Sequence, residues 1–414
     1  MEAHKSARQE WAENWPLALA CLVGFMVPAM FLYTLGAFIG PLEEEFGWSR
    51  GEITSGFSLM MIGTGLGTPL LGVFVDKWGP RRIALPGAML ALASFSLIAL
   101  ATPSLFVWWG IWLLMAAAAV AVQTPLWTTA IAANFDKSRG LALAVALCGS
   151  GLASATLPLL GIWVIDNYGW RVAPPVISLT LAVIIFPILY FGLHSNADKP
   201  RGQRQAKMAE PSAAATGLSA KTAIRTLRFA KLAFAAFFFS ICALGLVPNL
   251  IPILTSFEFG RAEAAGIAGV VGISSIVGRL TTGHLMDRFD ANFVGGTCVL
   301  LPIASCVLLL TMPGSEPVAV LAVVMLGLAL GAEVDVIAFL TARQFGTASY
   351  GTIFGVIAML YSLAAAAGPF LVSLIYDLTG AYEFALQAAI PLFVLTSIAL
   401  FTLGRPKIAA SQEE

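Results

Sequence analysis

The sequence has few charged residues. Only 11% of its 414 residues are Asp, Glu, Lys or Arg, whereas about a quarter of a soluble domain is charged. Hydrophobic residues make up 58% of the chain, and the formal net charge is zero. This balance excludes an ordinary soluble protein and favours one that lies mostly in lipid.

Histidine and cysteine are also scarce. The three histidines lie far apart, and the five cysteines occur singly within apolar runs. An odd number of scattered cysteines argues against a disulfide framework and against a metal cluster. The chain has no nucleotide-binding loop and no His-Glu-x-x-His run, which disfavours ATP-driven transport by this chain alone and intramembrane hydrolysis. We therefore expect no enzyme activity, no cofactor and no metal.

Long hydrophobic runs, by contrast, recur along the whole chain. A helix needs roughly 20 apolar residues to cross the hydrocarbon layer, and in lipid it satisfies its own backbone hydrogen bonds. Twelve runs meet this length, so we predict an all-α membrane protein with twelve transmembrane helices. They fall near 15–39, 53–75, 83–102, 105–133, 141–165, 172–193, 229–256, 264–286, 292–312, 317–342, 350–376 and 384–403.

The distribution of Lys and Arg predicts the orientation of these helices. Nineteen Lys and Arg residues fall in or beside segments on the same side as the N-terminus, whereas only Arg50, Arg171 and Arg261 fall on the other side. Cytoplasmic loops carry the excess of positive charge, so both termini are predicted to be cytoplasmic. The first apolar run is too long for a signal-peptide core and is expected to be retained. Short loops and abundant alanine favour the inner membrane of a bacterial cell.

The two halves of the chain resemble each other at a constant offset. Residues 194–228 are polar and basic and predict a flexible linker between six-helix bundles at 1–193 and 229–414. GVFVDKWGP at 72–80 corresponds to GHLMDRFDA at 283–291, an offset of 211 residues. Gly140 with Gly351, Pro158 with Pro369 and Asp166 with Asp377 share that offset. Two parallel repeats of this kind predict a binding site between the halves, near the membrane midplane.

The first copy of this repeat carries a recognisable motif. It resembles the signature of the major facilitator superfamily in the loop between the second and third helices. That signature consists of a Gly, an Asp followed by a basic residue, a second Gly and a basic pair. The matching residues are Gly72, Asp76, Lys77, Gly79, Arg81 and Arg82. The resemblance implies a gate latch, and the second copy keeps only Gly283, Asp287 and Arg288 of it, so its latch is expected to be weaker. The alternative is a topology signal with ordinary helix-end packing.

Three charges lie deep within the predicted spans: Arg279, Glu333 and Asp335. At 1.5 Å per residue they lie about 12–15 Å from the inner face. A lone charge at this depth costs roughly 2.5–3.5 kcal/mol, so each needs a partner or a wet cavity. One cation pairs with one acid, which leaves the other acid as a candidate proton carrier. Residues two apart point about 200° from each other, so both acids cannot face the arginine. The alternative is a purely structural ion-pair network.

The segment around Arg279, GRLTTGHLMDR at 278–288, narrows the substrate class. It resembles the eighth helix of the monocarboxylate transporter and oxalate–formate antiporter branch, where an arginine eight residues before the loop aspartate grips a carboxylate. Oxalate-carrying relatives add a lysine on the eleventh helix, at the position of Ile357 here, so the resemblance implies a monoanion. Vertebrate relatives have an acid at the position of Ser275, so the coupling acids are expected at Glu333 and Asp335.

Other mid-span polar and aromatic residues are candidates for the substrate cavity, since such side chains shape a pocket and offer single hydrogen bonds. Packing between helices is an alternative for each of them. They are Tyr33, Gln123, Trp127, Asn249 and Tyr361.

These features predict a proton-coupled secondary transporter that moves an organic monocarboxylate by rocker-switch alternating access. Its partners would be a small organic anion, protons and the lipid bilayer, with no nucleic acid, and we expect a monomer. Proton-coupled efflux of a cationic or amphipathic compound at the two acids is one alternative, and antiport of a dicarboxylate against a monocarboxylate is another. A sensor with this fold would be expected to carry an added soluble domain.

Overall fold

The computed structural model describes residues 7–135, 138–198, 218–346 and 349–404, apart from the side chains of Pro69, Asp76, Asp287 and Gly351. The first half contains α1 (Ala7–Phe46), α2 (Arg50–Trp78), α3 (Pro80–Phe95), α4 (Leu105–Val120), α5 (Thr124–Ala132), α6 (Arg139–Tyr168) and α7 (Ala173–Gly192). The second half contains α8 (Ala220–Ile224), α9 (Leu227–Ser256), α10 (Arg261–Arg288), α11 (Ala291–Thr311), α12 (Glu316–Phe345), α13 (Tyr350–Thr379) and α14 (Glu383–Phe401).

The helices are long enough to cross a membrane. In the described ranges, eleven helical segments are both long enough and apolar enough to cross a membrane. The remaining long helix, α2, has 29 residues and occupies the position of the predicted span 53–75. The twelve-helix, all-α membrane fold predicted from the sequence is confirmed.

One predicted span is interrupted. The run 105–133 forms two helices, because α4 ends at Val120 and α5 begins at Thr124. Pro125 stands in the first turn of α5. A proline there loses no hydrogen bond, whereas within a continuous helix it would leave the carbonyl four residues earlier without its partner. Hydropathy alone does not detect this break, since proline barely changes the average over a span.

The chain divides into two compact units. The first comprises Met1–Trp48 and Ser55–Glu210, and the second comprises Ser49–Thr54 and Pro211–Glu414. The predicted boundaries at 1–193 and 229–414 stay a prediction, because residues 199–217 of the linker lie outside the described part of the chain.

Small residues let helices pack closely within each unit. In the first unit, a methyl group at Gly149 of α6 would lie 1.8 Å from the carbonyl oxygen of Leu22 on α1. In the second, a methyl group at Gly368 of α13 would lie 2.5 Å from the carbonyl oxygen of Ile241 on α9. Backbones approach this closely in membranes only where side chains are absent or small. Thus α1 packs closely on α6 in the first unit, and α9 packs closely on α13 in the second.

The first turn of α2 is part of the second unit, where it is hydrogen-bonded by Asp377. This carboxylate accepts hydrogen bonds from the backbone N–H groups of Arg50 (3.0 Å) and Gly51 (2.7 Å). The Arg50 guanidinium lies 3.8 Å from the ring centre of Tyr376 and donates to the Tyr382 hydroxyl at 3.0 Å. Asp377 thus satisfies two N–H groups that have no partner within α2, and its charge suits the helix N-terminus.

We expect Asp377→Ala to lower the melting temperature of the purified protein, with a loss of stability of about 1–2 kcal/mol, because two backbone donors lose their acceptor. Asp377→Asn keeps one acceptor oxygen, so its melting temperature is expected to lie between those of the wild type and the alanine variant. Thermal unfolding in detergent measures both. If Asp377→Ala melts at the same temperature as the wild type, Asp377 does not have this stabilising role.

Candidate functional site

The contact between α10 and α12 brings two of the three intramembrane charges, Arg279 and Asp335, together. A methyl group at Gly331 on α12 would lie 1.9 Å from the carbonyl oxygen of Ser275 on α10 and 2.9 Å from the backbone nitrogen of Arg279. A methyl group at Gly278 on α10 would lie 2.1 Å from the carbonyl oxygen of Leu328 on α12. One glycine on each helix thus fixes the crossing beside Arg279.

This crossing positions Arg279 against Asp335. Asp335 follows Gly331 by one helical turn and therefore faces α10 as well. The Arg279 Nη1 and Asp335 Oδ1 atoms lie 3.3 Å apart, and the two side chains are 13% and 31% exposed. The contact uses one N–H of a guanidinium that presents five, and 3.3 Å is beyond the usual N–H···O range of 2.7–3.2 Å. By this geometry the pairing of Arg279 with Asp335 is a weak one.

Glu333 faces away from this pair. It is 6% exposed and lines a small cavity with residues of α9, α11 and α14. Neither carboxylate oxygen has a hydrogen-bond partner of good geometry among the described residues, although the side chain of Tyr361 is near enough to interact with it. The two acids therefore differ in their surroundings, as their separation of about 200° around α12 requires.

The remaining cavity candidates fall into two groups. Trp127 and Asn249 are fully buried. The Trp127 ring packs on Gly24 of α1, and its Nε1 donates to the carbonyl of Val122. The Asn249 amide donates to the carbonyl oxygens of Gly245 and Pro369, and its oxygen accepts from Ser373 and Tyr382. These contacts bind helices together, so we omit both residues from the proposed site.

Tyr33, Gln123 and Tyr361 are half-buried. Gln123 precedes α5 at the break in the fourth span, and its amide lies 3.4 Å from the carbonyl oxygen of Ala119. Tyr361 is in the same unit as Arg279 and Glu333, whereas Tyr33 and Gln123 are in the first unit. Of the three, Tyr361 is therefore the one that lies in the unit of the charged residues, where it is near Glu333.

The motif at 72–82 organises the cytoplasmic end of the first unit. The Arg81 guanidinium donates to the carbonyl oxygens of Leu193 (3.0 Å) and Tyr190 (2.7 Å) at the end of α7 and contacts the ring of His194. Its backbone N–H donates to Asp198 at 2.9 Å. Gly79 has a φ of 85° and lies against Asp198, so a side chain would be strained there. Arg81 therefore caps the last carbonyl groups of α7 and joins α7 to α3.

The other motif residues give less information. Lys77 and Arg82 are exposed on the first unit and Arg288 on the second. A methyl group at Gly72 would meet no described atom within 4 Å, so close helix packing does not require a glycine there. The predicted latch acids Asp76 and Asp287 have side chains outside the described part of the structure. The gate latch stays a prediction.

The sequence analysis missed two polar residues at these sites. Asp198 holds the backbone of Arg81, and Thr396 on α14 lines the cavity of Glu333. A single threonine in an apolar span gives no sequence signal, because threonine often bonds to its own helix backbone. Within the described ranges, His, Cys, Asp and Glu side chains form no group of three that suits a metal ion.

Comparisons with known proteins agree with the fold. The sequence profile of the Major Facilitator Superfamily matches residues 20–369. The chain is 25% identical to the uncharacterized MFS-type transporter YcxA of Bacillus subtilis (strain 168), with 83% of this chain and 84% of that protein aligned. It is 24% identical to the gallate transporter of Pseudomonas putida (70% and 73% aligned) and 23% identical to monocarboxylate transporter 13 of Rattus norvegicus (97% and 91% aligned).

A solved structure shares the architecture. A mutant of the nucleoside transporter NupG superposes with a TM-score of 0.73 at 15% identity, covering 94% of this chain and 99% of that one. At this identity the likeness concerns the fold alone.

Proposed function

The chain belongs to the Major Facilitator Superfamily, and on this basis we propose that it moves an organic monocarboxylate across the membrane by alternating access, coupled to protons. Its family and fold are those of membrane transporters. Cytoplasmic termini and the inner membrane of a bacterial cell belong to the same proposal, on the charge distribution and composition described above. A monomeric state is proposed with them.

The observation that carries the proposal is Arg279, a loosely paired arginine deep within a membrane-spanning helix of the second unit. Arg279 remains charged in a site of low polarity and presents a planar fork that matches a carboxylate. Its present partner, Asp335, is held at 3.3 Å through one N–H. Asp335 thus occupies the place that a substrate carboxylate would take. The relatives named for gallate and for monocarboxylates have a carboxylate in common among their substrates, which supports the same assignment.

The charge balance favours a monoanion. Ile357, at the position where oxalate-carrying relatives have a lysine, is 1% exposed and supplies no second cation. A dicarboxylate would therefore bring one negative charge without a partner into the membrane interior, which is costly. Antiport of a dicarboxylate is disfavoured for this reason.

Replacement of Asp335 by substrate at Arg279 provides a physical basis for the change between the two conformations of the transporter. A ligand shifts a conformational equilibrium only if it binds the two states with different affinity. A substrate that replaces Asp335 changes which groups are paired at the crossing of α10 and α12, so the energies of the two states need not change equally. Efflux of an organic cation would instead use the acids directly, and Arg279 would then oppose binding.

Uptake into proteoliposomes distinguishes these functions. The purified protein would be offered labelled lactate, pyruvate, formate, benzoate, oxalate and organic cations with an imposed inward proton gradient. We expect one or more monocarboxylates to accumulate well above protein-free liposomes, and oxalate and cations not to accumulate. Cation flux without carboxylate flux would overturn the proposal.

A further inference from the structure

Two polar side chains that are poorly hydrogen-bonded by the described residues face the same small cavity in the second unit. We call it the Glu333 chamber; its wall includes Phe239, Cys298, Val299, Glu333, Thr396 and Leu400. The cavity has a volume of about 10 Å³ for the centre of a water-sized sphere. This is close to the minimum of roughly 10–15 Å³ that one water molecule needs. The chamber is therefore large enough for one water at most.

The polar atoms in the chamber are unsatisfied by the described residues. Glu333 is 6% exposed and Thr396 is fully buried. Among the described residues, the Thr396 hydroxyl has no hydrogen-bond partner, and the Glu333 carboxylate has no bond of good geometry but interacts with the side chain of Tyr361. A buried carboxylate without a cation is very unfavourable when charged and much less so when it carries a proton. A water between the two side chains would also satisfy atoms that are otherwise orphaned.

The geometry of α12 separates this chamber from the arginine. Gly327, Gly331 and Asp335 are spaced by four residues and lie on the face that contacts α10. Ala329, Glu333 and Ile337 are spaced in the same way on the face that lines the chamber. Each of these two faces of α12 thus carries one acid, and among the described residues a cationic partner is found only for Asp335.

We propose that Glu333 is the proton site of the transporter, with Tyr361, Thr396 and a single water as its hydrogen-bond partners. Asp335 is the exchangeable counter-ion of Arg279. The proton binds a carboxylate oxygen to form a neutral acid and leaves as a proton, so no other reactant is needed. The titratable groups facing Glu333 are Tyr361 on α13 and Cys298 on α11; the chamber residues of α9 and α14 are uncharged.

This inference rests on the proposed function only for the coupling step. Proton binding itself is measured without substrate, by infrared difference spectroscopy of the purified protein across a pH titration. We expect a carboxylic acid C=O band that is lost in Glu333→Gln and kept in Asp335→Asn. Glutamine has the shape of a neutral glutamic acid, so the variant is expected to fold. Thr396→Val should shift the frequency of the band. A band unchanged in Glu333→Gln would overturn the assignment.

Transport then tests the coupling. In proteoliposomes with a monocarboxylate that the wild type carries, Glu333→Gln should lose gradient-driven accumulation at least tenfold. Its remaining substrate exchange should no longer depend on pH. Glu316→Gln, an exposed acid in the first turn of the same helix, should behave as wild type. Gradient-driven accumulation by Glu333→Gln would contradict the proposal. A wild type that carries no carboxylate would instead refute the proposed function, and the infrared band would still decide the proton site.

Discussion

Replacing Arg279 with lysine is expected to lower monocarboxylate uptake about 100-fold, although the positive charge is retained. Lysine offers a point charge in place of a planar fork, so it cannot make two parallel hydrogen bonds to one carboxylate. A loss of about 100-fold corresponds to about 2.7 kcal/mol, which is within the range for a desolvated charge pair. Initial rates of labelled substrate uptake in proteoliposomes, at several concentrations, measure the effect.

The matched control for this variant is Arg225→Lys, at an exposed position beside the linker. It makes the same chemical change away from the site and is expected to leave uptake within twofold of wild type. Equal uptake by Arg279→Lys and wild type would show that the guanidinium fork is not what binds the substrate. Equal losses in both variants would indicate a general effect of the substitution.

Gly331→Ala is expected to have the largest effect on stability. Its methyl group would lie 1.9 Å from the Ser275 carbonyl oxygen, so α10 and α12 must separate by more than 1 Å or the region must unfold. Overpacking of this kind costs about 1–3 kcal/mol, and contact with backbone leaves little scope for relaxation. We expect a melting temperature several degrees lower, and loss of transport because the position of Arg279 changes with the crossing. Thermal unfolding in detergent, followed by uptake, measures both.

Gly355→Ala on α13 is the control for this helix substitution. A methyl group there meets no atom within 4 Å, and alanine is the better helix former. This variant should be as stable as wild type or slightly more so. If Gly331→Ala melts at the wild-type temperature, the close crossing of α10 and α12 is not present in the protein.

The fold was largely predictable, because membrane helices are specified by length and apolarity. The constant offset of 211 residues between Gly72 and Gly283 predicted the internal repeat. The break before Pro125 was not predicted, since a single proline in a long apolar run is compatible with a kink as well as with an interruption. Local backbone geometry decides between them, and hydropathy contains no information about it.

The charged site was predicted as a set of residues, not as an arrangement. The depth of Arg279, Glu333 and Asp335 follows from helix rise, but the rotation of α12 about its axis does not. Gly327, Gly331 and Asp335 are spaced by four residues, and such a face with small residues favours close helix packing. Which of the two acids the arginine meets becomes evident only once that face is placed against α10.

The side chains chosen for being polar at mid-span were the least predictable. Trp127 and Gln123 lie four residues apart along one interrupted span, yet the first is fully buried against α1 and the second is half-buried at the break. Hydrophobic periodicity is weak in a helix that is apolar on all sides, so it does not indicate which face meets a cavity. Asn249 illustrates the same limit, since its amide joins α9 to α13.

The most direct test of the central claim, that Arg279 binds the carboxylate of the substrate, compares acids with their neutral amides as competitors. Inhibition of labelled substrate exchange would be measured for lactate against lactamide and benzoate against benzamide, in wild type and Arg279→Gln. We predict that at least one acid inhibits the wild type at least tenfold more strongly than its amide. In the residual exchange of Arg279→Gln, the preference should vanish. A preference of equal size in both proteins would contradict the claim.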